Sequence, residues 1–366
     1  MNNLLNTFDA SSMKKALELA EGVKGLTSPN PAVGAVIVNN GSVAGTGATS
    51  PAGGPHAEIH ALKMAGSTAR GATLYVTLEP CCHHGRTPPC TNAIIAAGVT
   101  RVVVAQSDPN PRVKGKGIAR LRRKGIRVDI GLMRKQAHFL NEDYCWSIVR
   151  QQPWITLKLA MTLDGRIADV QGMSKWISSV AARKRVQQLR RNHAAVMVGR
   201  RTLLRDNSRL TVRSKTIARP VRIVVGTQTA LGVDSHFALN ASHLRSIVVV
   251  SGGRGARSLT KESGVEFWYT GEKHFPDSMQ RFFKRAYEEG ITSILVEGGG
   301  RLASLLCEHG FVNRVCFFYG NRILGGGMPG LAFAKARPLA NARKLHQIAF
   351  EHFGDTWMVT GLVQRK

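Results

Sequence analysis

GATLYVTLEPCCHHGRTPPC, residues 71–90, decides how the chain is read. Its first half, ATLYVTLEP, is a short apolar run rich in β-forming residues and closed by a proline, the pattern of a buried strand. Its second half sets Cys81, Cys82 and Cys90 just beyond that strand, with His83 and His84 between them. Working outward, TNAIIAAG reads as a helix, RVVVAQS as a strand, GIARLRRKG as a helix, RVDIGL as a strand, and a further helix spans roughly 134 to 148. Upstream, AVGAVIVNN and SVAGTGA form a hairpin turned at Asn40-Gly41, and PHAEIHALKMAG continues as a helix. The first helix, with Met13, Ala16, Leu17 and Ala20 at helical spacing, takes Ser11 or Ser12 as its cap and closes at Gly25. Strands alternating with helices predict a mostly parallel sheet with right-handed crossovers.

Pro153 interrupts the helical pattern in RQQPWI, so the expected domains are 1–150 and 151–366. Beyond it, WITLKLAM, AAVMVG, VRIVVG, SIVVVSG, VEFWYT, TSILVEGG and RVCFFYG are seven strand candidates separated by helices or loops, which predicts a second α/β domain. A length of 366 residues also favours two cores over one. No apolar run approaches the roughly eighteen residues that cross a bilayer, and no secretory pattern opens the chain, so the expected location is the cytoplasm. Six cysteines then read as thiols or metal ligands, not as a disulfide framework. Cys145, Cys307 and Cys316, alone in apolar surroundings, read as core residues.

The net charge of +28 attracts polyanions or phosphorylated small molecules. The basic residues are scattered over helix faces such as ARLRRKG and ARKRVQQLRR with few aromatics to stack bases, which argues against a nucleic-acid binder.

A catalytic zinc takes three protein ligands and leaves a fourth position open. His56 at a helix start, with Cys81 and Cys90 past the end of a strand, supplies such a set at the carboxyl edge of the sheet. Glu58, two residues after His56, matches the non-ligand glutamate that shuttles protons in zinc deaminases, where H-x-E is followed by P-C. The usual P-C-x-x-C is here P-C-C-H-H-G-R-T-P-P-C. Two plainer readings stand beside this one: His56 and Glu58 as an ordinary first-turn pair favoured by the helix dipole, and Cys81, Cys82, His83 and His84 as a structural zinc knot. His60 reads as a surface or outer-sphere residue, and His83 as a substrate contact or outer-sphere residue.

SPNPAVGAVIV, AGGPHAEIHAL, the stretch 71–90, SDPNPRVKGKGI and LNEDY, followed by WITLKLAMTLDGRIA, SKWISS, VEGGGRLA and ILGG, resemble the RibD family of bifunctional riboflavin-biosynthesis enzymes. The resemblance covers nearly the whole chain and is weakest over 228–290. It implies a cytidine-deaminase-like three-layer α/β domain followed by a dihydrofolate-reductase-like α/β domain. It also implies deamination of 2,5-diamino-6-(5-phosphoribosylamino)pyrimidin-4(3H)-one with zinc, one ion per chain, and then reduction of the ribosyl group to ribityl with NADPH. Homo-oligomerisation is implied as well.

By the family's motifs, Asn30 holds the pyrimidine edge, with Asp108 and Asn110 near the same rim. In the second domain Lys158, Ser174, Arg190, Leu210, Arg213 and Glu297 fall at substrate positions. Ala160, Trp176, Thr202, Asp206 and the turn Gly298, Gly299, Gly300, Arg301, Leu302, Ala303 and Ser304 fall on the cofactor. Read alone, SILVEGGGRLAS is a tight strand-to-helix turn without the G-x-G-x-x-G fingerprint. The chain departs from the family pattern at Thr49, where a histidine is usual, at Ala194, at Asn207-Ser208, and over Val225-Gly226-Thr227. Two rival functions remain compatible with the residues: a monofunctional deaminase with a structural C-terminal domain, and a basic nucleic-acid-binding or editing deaminase.

Overall fold

The structure, a computed structural model, describes residues 2–85, 87–213, 218–226, 235–252, 264–335 and 337–364. Arg86 of the cysteine stretch and Thr227 lie outside the described residues. The chain divides into two compact units, Met1–Gln151 and Gln152–Lys366.

In the first unit, α1 (Asn2–Val23) precedes the hairpin β1 (Gly34–Asn39) and β2 (Ser42–Ala48), followed by α2 (Ala57–Ala65), β3 (Thr73–Val76), α3 (Cys90–Ala96), β4 (Arg101–Val104), α4 (Lys116–Arg123), β5 (Arg127–Ile130), α5 (Arg134–Leu140) and α6 (Glu142–Arg150). The sheet order is β2-β1-β3-β4-β5. β3, β4 and β5 are parallel, but β1 runs antiparallel to both β2 and β3, so this sheet is mixed. Period-two alternation splits each strand between two cores. Ala35, Ile37, Leu74, Val76, Val102 and Val104 pack on Ala57, Ala61, Ile94, Leu121 and Tyr144. Val36, Val38, Tyr75 and Val103 pack on Met13, Ala16 and Ala137. The result is helix, sheet, helix in three layers.

Close approach sets where α2 sits. A Cβ on Gly47 would lie 2.2 Å from the Ala57 carbonyl oxygen, and one on Gly45 2.2 Å from that of Ala61. Only glycine lets the helix lie this near the strand.

Two elements differ from the sequence expectation. α1 starts at Asn2, well before Ser11 and Ser12, and the Ser11 hydroxyl bonds back to the Phe8 carbonyl at 2.9 Å inside the helix instead of capping it. The single helix expected over 134–148 is two, broken at Asn141. The Asn141 side chain accepts from Ala32 N at 3.0 Å and donates to Ala32 O at 2.8 Å, a strand-like pairing that holds the backbone out of helical geometry.

In the second unit, β6 (Trp154–Met161), β8 (Ala195–Gly199), β9 (Val221–Val225), β10 (Ser246–Val250), β11 (Glu266–Tyr269), β12 (Ser293–Glu297) and β13 (Arg314–Tyr319) realise the seven strand candidates. They alternate with α7 (Val180–Asn192), α8 (Arg200–Asp206), α9 (His236–Leu239), α10 (Phe275–Glu288) and α11 (Gly300–Glu308), while β7 (Arg166–Ala168) and β14 (Met328–Pro329) pair separately. The hairpin β15 (Leu345–Phe353) and β16 (Thr356–Val363) was not expected. It adds two antiparallel strands to a nine-stranded sheet ordered β11-β10-β9-β8-β12-β6-β13-β16-β15. β15 escapes a sequence reading because His346, Gln347, Ile348, Ala349 and Phe350 are all exposed, so no buried face imposes an alternation. Cys145, Cys307 and Cys316 are buried, as their surroundings suggest.

Candidate active sites

His56 is the N-cap residue of α2, and Glu58 lies in its first turn at 4% exposure. Cys81 follows β3, and Cys90 opens α3. These elements bring His56 Nδ1 to 3.2 Å from Cys90 Sγ and 3.6 Å from Cys81 Sγ. The three ligand-type atoms lie within 4.8 Å of one another, and among the described residues no other His, Cys, Asp or Glu group is so arranged. His83 and His84 stand apart from that trio, and Cys82 Sγ is directed to the Arg112 carbonyl at 4.0 Å, so the zinc knot is not assembled. Cys81 and Cys90 are thiols, not a disulfide.

The opposite ring nitrogen, His56 Nε2, meets Thr87 Oγ1 at 3.4 Å. A partner there leaves Nδ1 as the nitrogen facing the sulfurs. The backbone N–H of Cys90 donates to Cys81 Sγ at 3.3 Å. The Cys90 thiol, with His56 alongside, holds the Cys81 thiol below its ordinary value, whereas the buried Cys90 thiol is pushed up by its neighbour Cys81. Two sulfurs converging on an imidazole nitrogen suit a soft or borderline divalent cation. Burial, reinforced by the Cys81 charge, raises the Glu58 carboxyl to about 7. A buried acid poised near neutrality is able both to give and to take a proton.

Around this centre, Asn30 is held by its own turn: its N–H donates to Thr27 O at 2.8 Å and its carbonyl accepts from Thr27 Oγ1 at 2.9 Å. The following Pro31-Ala32 is tied to Asn141, the residue of LNEDY whose role the sequence left unread. Asp108 is buried and accepts from Tyr144 Oη at 3.1 and 3.2 Å and from Asn110 N at 2.8 Å, with burial raising its carboxyl to about 6. Thr49 turns inward, its hydroxyl exchanging hydrogen bonds with Val33 N and O at 3.2 and 3.3 Å. His60 Nε2 meets Ser50 Oγ at 2.8 Å, away from the sulfurs.

In the second unit, Lys158 and Glu297 are register partners on adjacent parallel strands, so their side chains share the face covered by α7. From α7, Arg190 reaches Glu297 with Nε at 2.5 Å and Nη2 at 2.8 Å, a bidentate pair of side chains 13% and 10% exposed, and its Nη1 holds Thr211 O at 2.9 Å. Burial pushes the Glu297 carboxyl up, but Arg190, Lys158 and His193 outweigh it and hold it below its ordinary value. Burial lowers the Lys158 ammonium, which lies 5.7 Å from the Phe318 ring centre. Ala160 shares this strand and faces Phe318 in register.

The glycine turn is left-handed at Gly298 (φ 78°) and Gly299 (φ 80°), and a Cβ on Gly299 would meet Thr202 Oγ1 at 2.7 Å. Thr202 and the turn are therefore neighbours. Of the rest of that stretch, Arg301 is exposed, Leu302 and Ala303 are core side chains, and Ser304 Oγ donates to Gly300 O at 2.6 Å and accepts from Ala332 N at 2.8 Å. Ser174 and Asp206 are exposed; so is Trp176 at 61%, with the Arg183 guanidinium 4.4 Å from its ring centre. Leu210 is buried at 1% in a core cluster with φ 55°, so only its backbone is offered. Arg213 is exposed and its N–H donates to Gln187 at 2.8 Å. Among the departures, Ala194 packs against the core, and Asn207 accepts from His236 N at 2.9 Å.

Two family models match the chain: one described as the cytidine and deoxycytidylate deaminase zinc-binding region over residues 6–106, and one described as the RibD C-terminal domain over 153–359. The riboflavin biosynthesis protein RibD of Aquifex aeolicus (strain VF5) is 41% identical over 357 residues, covering 97% of this chain and 99% of that protein. The chain belongs to the RibD family. The RibD protein of Escherichia coli (strain K12) is 39% identical over 343 residues, 88% of this chain and 90% of that one. Among solved structures, Acinetobacter baumannii RibD, form 1, superposes with a TM-score of 0.86 at 33% identity, covering 98% of this chain and all (100%) of that one. A deaminase/reductase from Thermotoga maritima gives 0.84 at 34% identity, covering 98% and 99%. As a RibD-family member with both a deaminase and a reductase domain, the chain is a bifunctional enzyme of riboflavin biosynthesis, and neither rival function is favoured. Among the described residues no helix is long and apolar enough to cross a membrane.

Proposed function

We propose that the first unit deaminates 2,5-diamino-6-(5-phosphoribosylamino)pyrimidin-4(3H)-one and that the second reduces the ribosyl group of the resulting uracil to ribityl with NADPH. The solved Thermotoga maritima relative carries the name diaminohydroxyphosphoribosylaminopyrimidine deaminase/5-amino-6-(5-phosphoribosylamino)uracil reductase, which supports this pair of substrates. The observation that carries the first reaction is the convergence of His56 Nδ1, Cys81 Sγ and Cys90 Sγ beside the buried Glu58.

His56, Cys81 and Cys90 hold one zinc ion per chain. Zinc bound there would supply Lewis acidity to activate water. Glu58 would carry one proton from the attacking water to the ring nitrogen and a second, from the hydroxyl then on the ring carbon, to the amine that leaves as ammonia, a task its near-neutral pKa suits. Asn30 holds the pyrimidine edge, and Asp108 and Asn110 close the rim. Thr87 keeps the imidazole turned with Nδ1 inward.

In the second unit the turn Gly298–Gly299–Gly300, left-handed at Gly298 and Gly299 and without room for a Cβ at Gly299 or Gly300, would accommodate the NADPH pyrophosphate, with Arg301, Leu302, Ala303 and Ser304 continuing the wall. Ala160, Trp176, Thr202 and Asp206 complete the cofactor side. NADPH supplies the hydride. Lys158, with its lowered pKa, stands at the reacting sugar, and Ser174, Arg190, the Leu210 backbone, Arg213 and Glu297 hold the phosphoribosyl substrate. The positive charge of the chain favours such phosphorylated ligands.

The enzyme works in the cytoplasm, where a reducing environment keeps Cys81 and Cys90 as thiols. It assembles as a homo-oligomer; the exposed edge strand β15, with Ile348 at 50% and Phe350 at 73% exposure, supports this.

Glu58→Gln tests the first reaction. The variant keeps its zinc, and ammonia release from the diaminopyrimidine falls by about a hundredfold to ten-thousandfold. Undiminished release, or zinc lost along with activity, refutes the assignment of the proton shuttle.

A further inference from the structure

Glu79 ends the segment that delivers Cys81, is buried at 4% exposure, and has no part in the chemistry above. Its two oxygens accept four backbone N–H groups. Oε1 takes those of Gly117 at 3.0 Å and Ile118 at 3.2 Å; Oε2 takes those of Gly115 at 3.0 Å and Asp108 at 3.2 Å. Its own N–H donates to Gln106 O at 2.9 Å. One carboxylate therefore closes the loop 108–115 on itself and caps the first turn of α4.

The fit is close on the backbone side too. A Cβ on Gly117 would lie 2.1 Å from the Pro80 carbonyl oxygen, so the loop rests directly on Glu79-Pro80, immediately before Cys81. The loop carries Asp108, whose carboxylate receives Tyr144 Oη and fixes Asn110 through the Asn110 N–H at 2.8 Å. Four donors demand an acceptor-only group with four lone-pair sites, which an ionised carboxylate offers and an amide does not.

We propose that Glu79 is a positioning residue for the deaminase, clasping the loop 108–118 onto the strand end that bears Cys81 so that Asp108 and Asn110 stand at a fixed height over the metal-binding trio to receive the pyrimidine. The proposal rests on the deaminase reading of the first unit. It attributes substrate recognition, not metal binding, to the clasp, because its hydrogen bonds run to the rim loop and none to His56, Cys81 or Cys90.

The experiment measures ammonia release against diaminopyrimidine concentration for the parent, Glu79→Gln and Glu79→Asp, with zinc content, thermal midpoint and NADPH oxidation read on the same full-length preparations. In Glu79→Gln an NH2 group faces two of the four donors. The expected result is full zinc and unchanged NADPH oxidation, with KM for the diaminopyrimidine raised at least about tenfold and kcat within about threefold of the parent. Glu79→Asp, which keeps acceptor oxygens one methylene short, recovers part of the KM. An unchanged KM in Glu79→Gln, whatever its thermal midpoint, overturns the proposal, as does a loss confined to kcat or zinc. Failure of both variants to fold assigns Glu79 to folding alone and overturns it equally. A parent that releases no ammonia refutes the deaminase reading itself, a result distinct from a working parent with an indifferent variant.

Discussion

The buried pair of Arg190 and Glu297 makes the sharpest energetic prediction. Its hydrogen bonds of 2.5 and 2.8 Å join side chains that are 13% and 10% exposed. Two unit charges with centres about 4 Å apart attract by about 4 kcal/mol at an effective dielectric of about 20. Removing one partner leaves the other charge buried and uncompensated, a loss of about 3–5 kcal/mol. Lys158 and His193 remain beside Glu297, which moves the expectation for Arg190→Met to the lower end, about 3 kcal/mol. For a unit of about 200 residues that corresponds to a fall of roughly 6–12 °C in its thermal midpoint. The double variant Arg190→Met/Glu297→Leu removes both charges and is expected within about 1–2 kcal/mol of the parent, because desolvation of the pair offsets most of its attraction. Urea unfolding followed by tryptophan fluorescence reports mainly on this unit, since four of the five tryptophans, Trp154, Trp176, Trp268 and Trp357, lie within it and only Trp146 lies in the first. The pH dependence has a definite sign. The Glu297 carboxyl is held below its ordinary 4.5, so the pair contributes fully above that pH and its contribution fades as pH falls through the depressed value. Parent and Arg190→Met therefore converge in stability at acid pH. Single variants whose losses simply add in the double, or a parent-to-variant gap that widens in acid, would refute the reasoning.

Two further outcomes follow from the first unit. Gly47→Ala places a Cβ 2.2 Å from the Ala57 carbonyl oxygen and 2.7 Å from Ala61 N, so α2 must move, carrying His56 and Glu58 with it. A stability loss of about 1–3 kcal/mol and a fall of about a hundredfold in ammonia release are expected, with NADPH oxidation retained; parent-like ammonia release would show that α2 does not set the geometry. Cys90→Ser removes one of the three converging ligand atoms. Competition with a chromophoric chelator should then give zinc affinity at least about a hundredfold weaker, beyond what loss of an outer partner costs, and equal affinity would exclude Cys90 as a ligand.

The convergence of His56, Cys81 and Cys90 was legible because its chemistry is written in residue types that seldom gather by chance: H-A-E at a helix start and thiols after a strand. The strands of the first unit, and β6 and β8 to β13 of the second, were legible for a similar reason, since burial on one or both faces imposes an apolar pattern. Other features left no such trace. β15 is exposed along most of its length, so no alternation marks it. Asn141 in LNEDY reads as part of a helix until its side chain is seen pairing with Ala32, 109 positions away. Leu210 sits in a motif that suggests substrate, yet its side chain is core.

What the chain alone determined, then, is the order of most helices and strands, the two-domain division of labour it implies, and the ligand and acid types available to each reaction, because local periodicity and residue chemistry are properties of short segments. Which nitrogen of His56 faces the sulfurs, which carboxylate clasps a loop and which meets a guanidinium were decided only in three dimensions. Those outcomes depend on hydrogen-bond partners from distant segments, and Glu58, Glu79 and Glu297 are chemically the same side chain until burial and neighbours make one a buried acid raised toward neutrality, one the acceptor of four backbone N–H groups and one half of an ion pair.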